Sequence, residues 1–114
     1  MGALCFLVNV TKQEKVLFIG VNAGKAKELA GTHVAAAMTT WYMLENQGDE
    51  IGFVRDDAEN WPFHRGSWES YQDYVEVTEP LISSMVAAGL LKDHGSQLID
   101  GDPDLMERIL EVVW

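Results

Sequence analysis

The sequence has little cysteine and no long apolar run. A lone Cys5 cannot form an internal disulfide, which excludes a disulfide-stapled scaffold and favours a reducing compartment. The longest apolar stretches, residues 34–38 and 41–44, are far shorter than the ~20 residues that a transmembrane helix needs. No basic leader followed by an apolar run opens the chain, so we expect a cytoplasmic protein.

Basic residues are also scarce, with 8 Lys and Arg against 18 Asp and Glu, which gives a net charge of −10. The balance is uneven, because residues 1–44 carry +2 and residues 45–114 carry −12. Proteins bind nucleic acid and anionic membrane through Lys and Arg, so neither is expected as a partner. The charge favours a basic protein partner instead.

Length and hydrophobic periodicity predict a single α+β domain over residues 1–114. Apolar runs at residues 3–10 and 15–19 predict a β-hairpin, and a third strand at 51–54 is expected to join it in a small antiparallel sheet. A further short hairpin is predicted between residues 90–91 and 97–99.

Three or four helices are expected to pack against this sheet. They are predicted over residues 23–30, over 34–46 with Thr32 as the N-cap, over 78–90 with Thr78 as the N-cap, and from Asp102 to the C-terminus. The helix over 34–46 is apolar on nearly every face, which is typical of a buried central helix.

The segment from residue 56 to 77 has no clear periodicity and mixes acidic residues with large aromatics. We predict a long loop here, with one helical turn near residues 67–74, and such loops are often functional. Trp61 and Phe63 fit a core and an interface equally well, whereas Trp68, Tyr71 and Tyr74 fit an interface slightly better. The predicted partner-binding residues are Glu45, Asp49, Glu50, Asp56, Asp57, Glu59, Trp61, Trp68, Glu69, Tyr71, Asp73 and Tyr74.

No motif predicts a catalytic, cofactor-binding or metal-binding site. The turn at Gly20–Lys25 lacks the spacing and the Ser or Thr of a phosphate-binding loop. The acidic residues that begin at Asp100 have Leu105 where a calcium loop requires glycine. The three histidines are scattered along the chain, without the close pairs of a zinc site.

Three short stretches resemble small bacterial proteins that are found near polymorphic or contact-dependent toxin systems. They are residues 7–15 (LVNVTKQEK), residues 39–42 (TTWY) and residues 48–51 (GDEI). The resemblance implies an immunity protein, which is small, acidic and cytoplasmic and which binds a toxin domain, often a basic one, to block it. It implies no role for an individual residue.

Two alternatives remain open at this point. One is a small enzyme that uses a carboxylate, with His64 and Arg65, in a cleft between the apolar helix and the long loop. The other is a structural protein that forms homo-oligomers, with residues 105–114 as its interface.

Overall fold

The computed structural model describes residues 4–21, 26–99 and 102–113, and it confirms the predicted α+β class. Its strands are β1 (Cys5–Asn9), β2 (Glu14–Leu17), β3 (Ile51–Arg55), β4 (Val75–Glu76), β5 (Leu91–Ile99) and β6 (Asp102–Val112). Its helices are α1 (Ala26–Gly31), α2 (His33–Glu45), α3 (Trp68–Tyr71) and α4 (Thr78–Ala87), with a 3-10 turn at Ile19–Val21. The predicted residues 23–25 of α1 lie outside the described residues.

The main sheet has the strand order β3-β1-β2-β4. Central β1 pairs antiparallel with β2 on one side and with β3 on the other, so that Leu7 lies between Val16 and Phe53. The predicted hairpin and the strand that joins it are therefore confirmed. No sequence pattern predicts β4, which is two residues long and pairs parallel with β2.

Successive residues of β1 face opposite sides of the sheet, as the twofold repeat of a strand requires. Leu7 belongs to a helix-side core, while its neighbour Val8 belongs to an aromatic-side core. The helix-side core consists of Leu7, Val16, Phe18, Val21, Ala35, Met38, Tyr42, Leu81, Ile82, Met85 and Leu91. The aromatic-side core consists of Val8, Val10, Val54, Tyr71 and Tyr74.

Helix α2 packs in the core through one buried face, so the prediction of a buried central helix is wrong for its other side. Its buried residues are Ala35, Met38 and Tyr42, whose spacing places them on one side of the helix. Met43 and Leu44 are 44% and 56% exposed. Only one side of the helix meets the sheet, and much of its remaining surface consists of small residues that can stay exposed at little cost.

The C-terminal region forms a long hairpin, so the predicted C-terminal helix is wrong. Strand β5 pairs antiparallel with β6, with Leu91 opposite Val112, and β5 is one strand where a short hairpin was predicted. The apolar residues near the C-terminus fit helical spacing as well as the two faces of a strand. The pairing with residues 91–99 decides between them, and a long-range contact of this kind leaves no local signal.

Thr78 closes the outer edge of β2, and the prediction that it caps α4 is wrong. The Leu17 N–H donates to Thr78 Oγ1 at 2.9 Å, and Oγ1 lies 3.4 Å from the Leu17 carbonyl oxygen, to which it donates. Further along the same edge, the Val77 N–H donates to the Lys15 carbonyl at 2.9 Å. Residues 75–78 therefore satisfy the side of β2 that faces away from β1.

Replacing the Thr78 hydroxyl tests this edge closure. Thr78→Val keeps the shape of the side chain but leaves the backbone groups of Leu17 without a partner, so we expect a loss of ~1–3 kcal/mol in the free energy of unfolding. Thr78→Ser keeps the hydroxyl and serves as the matched control, with a smaller loss. Urea denaturation of both variants measures the difference, and equal stabilities would contradict the assigned role.

Helix α4 ends in a Schellman motif at Gly89. The Leu90 N–H donates to the Met85 carbonyl at 2.9 Å and the Gly89 N–H donates to the Val86 carbonyl at 3.1 Å. This closure places Gly89 at a φ of +78°, in the left-handed region that glycine adopts without strain. The motif turns the chain from α4 into β5.

Gly89→Ala tests the conformational requirement, because a Cβ at this position meets nothing within 4 Å and the cost arises from φ alone. We expect a loss of about 1–2 kcal/mol in the free energy of unfolding. Gly31→Ala is the control, because a Cβ there also meets nothing and no positive φ is required. Thermal unfolding should show a lower Tm for Gly89→Ala only; an unchanged Tm would refute the strain argument.

Candidate partner-binding surface

The aromatic segment, residues 56–74, covers the face of the sheet opposite to α2. Phe63 lies directly on this face, because a Cβ added at Gly52 of β3 would come within 3.0 Å of its ring. Trp61 is central to the segment, with ring centroids 5.2 Å from Phe63 and 5.3 Å from Trp68. These rings pack against the aromatic-side core and form the back layer of the molecule.

Local hydrogen bonds fix the course of this segment. Ser67 and Ser70 form a capping box that begins α3, which confirms the predicted helical turn. The Trp61 indole N–H donates to the Arg65 carbonyl at 2.6 Å. The segment is thus an ordered layer, although regular secondary structure occupies little of it.

The structure shows which predicted aromatic contact residues are accessible. Tyr71 and Tyr74 are only 7% and 5% exposed, so they are core residues and offer almost no surface to a partner. Trp61, Phe63 and Trp68 are half-buried against the same core. Of the predicted aromatic contact residues, Trp61 and Trp68 therefore keep accessible surface, whereas Tyr71 and Tyr74 do not.

Tyr71 also carries a perturbed ionisation. Burial, together with the nearby negative charge of Glu76, raises the pKa of Tyr71 to about 12. The ammonium group of Lys15 lies 4.6 Å from the ring centre, where a cation–π attraction is expected. The neutral phenol is therefore the form that the folded protein favours.

This raised pKa predicts a loss of stability at alkaline pH. Its folded value of about 12 lies above the ordinary value of 10.0, so the stabilisation is fully present below pH 10.0 and is lost as the pH rises through about 12. Tyr71→Phe cannot ionise, and its free energy of unfolding should fall less over this range than that of the wild type. Denaturant titrations at several pH values measure how the free energy of unfolding of each protein changes with pH. The difference between the two proteins at neutral pH is the reference. Parallel slopes would contradict the prediction.

The predicted acidic residues differ from the aromatics, because they stay at the surface. Asp49 and Glu50 are half-buried, and the exposed acids are Glu45, Asp56, Asp57, Glu59, Glu69 and Asp73. Asp49 and Glu50 directly precede β3, whereas Asp56 and Asp57 directly follow it. Strand β3 therefore has carboxylates at both of its ends.

Some of these carboxylates have partners within the protein. Asp49 accepts a hydrogen bond from the buried Asn9 side-chain amide at 2.8 Å and lies 3.6 Å from the Lys12 ammonium. Arg55 and Asp57 form an exposed ion pair at 3.1 Å. The exposed Arg55–Asp57 pair contributes little to stability, and Arg55 and Lys12 offset part of the negative charge around β3.

Tyr42, Glu14 and Asn46 form a group of hydrogen-bonded residues where the end of α2 approaches the hairpin. The Tyr42 hydroxyl donates to the Glu14 carboxylate at 2.7 Å, and burial together with this bond raises the pKa of Tyr42. The Asn46 side-chain amide donates to the Tyr42 carbonyl at 2.7 Å, within the end of α2. The Tyr42–Glu14 bond connects the end of α2 to β2.

An open groove of about 580 Å³ lies beside β3 on the helix side of the sheet. Its lining combines residues of β1 and β3 with Leu29 and smaller residues of α1 and α2, namely Cys5, Leu29, Ala30, Ala36, Thr39, Thr40, Phe53 and Arg55. Phe53 is 43% exposed, which is high for a phenylalanine on the core-facing side of a strand. The groove was not predicted, because four separate elements supply its lining.

The geometry removes the cleft on which the enzyme alternative depended. Helix α2 packs in the helix-side core and the aromatic segment packs in the aromatic-side core, so the sheet separates them. His64 is exposed, and its backbone N–H donates to a Glu50 carboxylate oxygen at 3.4 Å. Within residues 4–21, 26–99 and 102–113, no group of three or more metal-ligating side chains is arranged to hold an ion.

The homo-oligomer alternative rested on residues 105–114. Trp114 and the side chains of residues 105–107 lie outside the described part of the chain.

Among the described helices, none is long and apolar enough to cross a membrane.

Comparison of the chain with protein-family models, curated proteins and solved structures finds no match.

Proposed function

We propose that this protein binds a basic protein partner through the acidic surface around β3. Within that class, we propose a cytoplasmic immunity or antitoxin protein that neutralises a toxin domain. The observation that carries the proposal is the placement of Asp49, Glu50, Asp56 and Asp57 at the two ends of one strand, beside an open apolar groove.

The net charge of the chain favours a basic partner. A surface with net charge −10 accelerates encounter with a positively charged protein and slows encounter with other acidic proteins. An enzyme that acts on nucleic acid needs a basic surface to hold phosphates, and an acidic protein that covers this surface would block it. A basic toxin domain of that kind is therefore a suitable partner.

Exposed apolar surface also supports the proposal. Binding energy at interfaces comes mainly from desolvated apolar and aromatic anchors, whereas surrounding charges set rate and specificity. Phe53 and the small residues that line the groove provide such a patch, and the acids before and after β3 flank it. The two features together fit a binding surface better than either would alone.

Reversal of the acids near β3 tests the proposal. The partner is captured from the source cells with the tagged wild-type chain, identified, and produced separately for kinetic measurements. We expect Asp56→Lys/Asp57→Lys to reduce the association rate about tenfold and to weaken its dependence on salt.

A matched double reversal serves as the control. Asp73→Lys/Glu76→Lys changes the charge by the same amount beside β4, at the opposite edge of the sheet. If both double variants associate equally fast, the binding surface is not around β3.

Co-expression tests the immunity role separately. The captured partner should be toxic when it is expressed alone in a bacterial host, and the wild-type chain should restore growth. A partner that is harmless in this assay would refute the immunity role while leaving the binding proposal intact. An upstream gene that encodes the C-terminal end of a large secreted protein would support it.

A further inference from the structure

The outer edge of β3 has hydrogen-bonding groups that no described residue satisfies. The Val10 N–H donates to the Glu50 carbonyl at 3.0 Å, and the Asp56 N–H donates to the Leu4 carbonyl at 2.9 Å. Alternate residues of a strand direct their backbone groups to the same side, so even-numbered positions of β3 face β1. The N–H and C=O groups of Ile51 and Phe53 therefore face away from the sheet.

The two edges of the sheet differ in this respect. Residues 75–78 pair with the outer side of β2. Beside β3, the Arg55 carbonyl accepts from the Ala58 N–H at 3.1 Å, while the described residues offer no backbone partner to Ile51 or Phe53. Buried backbone groups are nearly always paired, so these unpaired groups are expected to face solvent.

Strand β3 also lacks the usual protection of an exposed edge. Natural edges are commonly blunted by lysine, proline or a β-bulge. The pairing of β3 with β1 is regular over all five residues, and Arg55 at its end is its only charged residue. An edge of this kind accepts an added strand readily.

We propose that an extended, lysine- or arginine-bearing segment of the partner adds to the sheet as a strand beside β3. This inference rests on the proposed function and specifies how the basic partner binds. The backbone groups of Ile51 and Phe53 bind the segment, and an apolar side chain of the segment enters the groove beside Phe53.

Charge complementarity selects the occupant. Carboxylates precede and follow β3, so a strand with basic residues at both ends and apolar residues between them matches the surface. Pairing of two copies of this chain would instead bring together two molecules that each carry −10. A second copy is therefore the less favourable occupant, and amide chemical-shift changes that depend on protein concentration without peptide would reveal it.

A synthetic strand tests the proposal directly. The peptide Lys-Lys-Val-Thr-Val-Thr-Val-Lys-Lys, with blocked ends, is about nine residues long, which spans β3 at ~3.4 Å per residue and reaches the acids beyond it. We expect a Kd of about 1 mM or tighter that weakens with salt, with the largest amide chemical-shift changes at Ile51 and Phe53. The same peptide with Glu in place of Lys should bind at least about tenfold more weakly.

N-methylation of the peptide separates backbone pairing from charge attraction. In one version two Val amides are methylated, and in the other the two Thr amides. Alternate amides face opposite sides of a strand, so one version should lose at least about tenfold in affinity while the other binds nearly unchanged. Equal affinities of the two versions would overturn the proposal.

A pair of protein variants gives the complementary test against the captured partner. Phe53→Ala removes the side chain but keeps the N–H, whereas Phe53→Pro removes both and is tolerated because this N–H faces away from β1. Circular dichroism and Tm establish that each variant is folded. We expect Phe53→Pro to bind at least about fivefold more weakly than Phe53→Ala.

The remaining outcomes distinguish the two proposals. Suppose that Asp56→Lys/Asp57→Lys slows association with the partner, but the partner binds Phe53→Ala and Phe53→Pro equally well. Strand addition is then wrong, and the proposed function stands. If no basic partner and no lysine peptide binds at about 1 mM, both proposals fail. If the shifts at Ile51 and Phe53 depend on protein concentration without peptide, the occupant is a second copy and the proposal is overturned.

Discussion

Strand β1 is buried on both faces, and the other layers of the molecule are arranged around it. On one face, α2 and α4 pack against Leu7 and its helix-side neighbours and bury them from solvent. On the opposite face, the aromatic segment packs against Val8. Tyr71 and Tyr74 are buried in this second core and stabilise the fold, whereas the acidic residues of the segment stay exposed.

The two edges of the main sheet are treated differently. On the β2 side, a short parallel strand and the Thr78 hydroxyl satisfy the outward backbone groups. On the β3 side, those of Ile51 and Phe53 have no partner among the described residues, and carboxylates lie before and after the strand. The asymmetry relates the fold to the proposed function, because the edge left open is also the edge with the apolar groove and the flanking carboxylates.

The sequence predicted the parts of the fold that depend on local patterns. The apolar runs at residues 3–10, 15–19 and 51–54 were sufficient to place the first three strands, and the predicted helix over 34–46 ends within one residue of the observed end of α2. The hairpin of β5 and β6 was missed, because apolar residues on both faces near Leu110 also fit a helix and only distant pairing decides. The composition was sufficient to predict the exposed acidic residues. The free outer edge of β3 was not predictable, because it depends on which backbone groups pair with β1 in the folded sheet.

Amide hydrogen exchange of the free protein, followed residue by residue, distinguishes an open outer edge of β3 from a paired one. We expect slow exchange at Gly52 and Val54, which face β1, and at Leu17, whose N–H donates to Thr78. We expect fast exchange at Ile51 and Phe53, which alternate with them along β3. Uniform protection along β3 in the monomer would show that its outer edge is already paired, which is the opposite of the open edge described for β3.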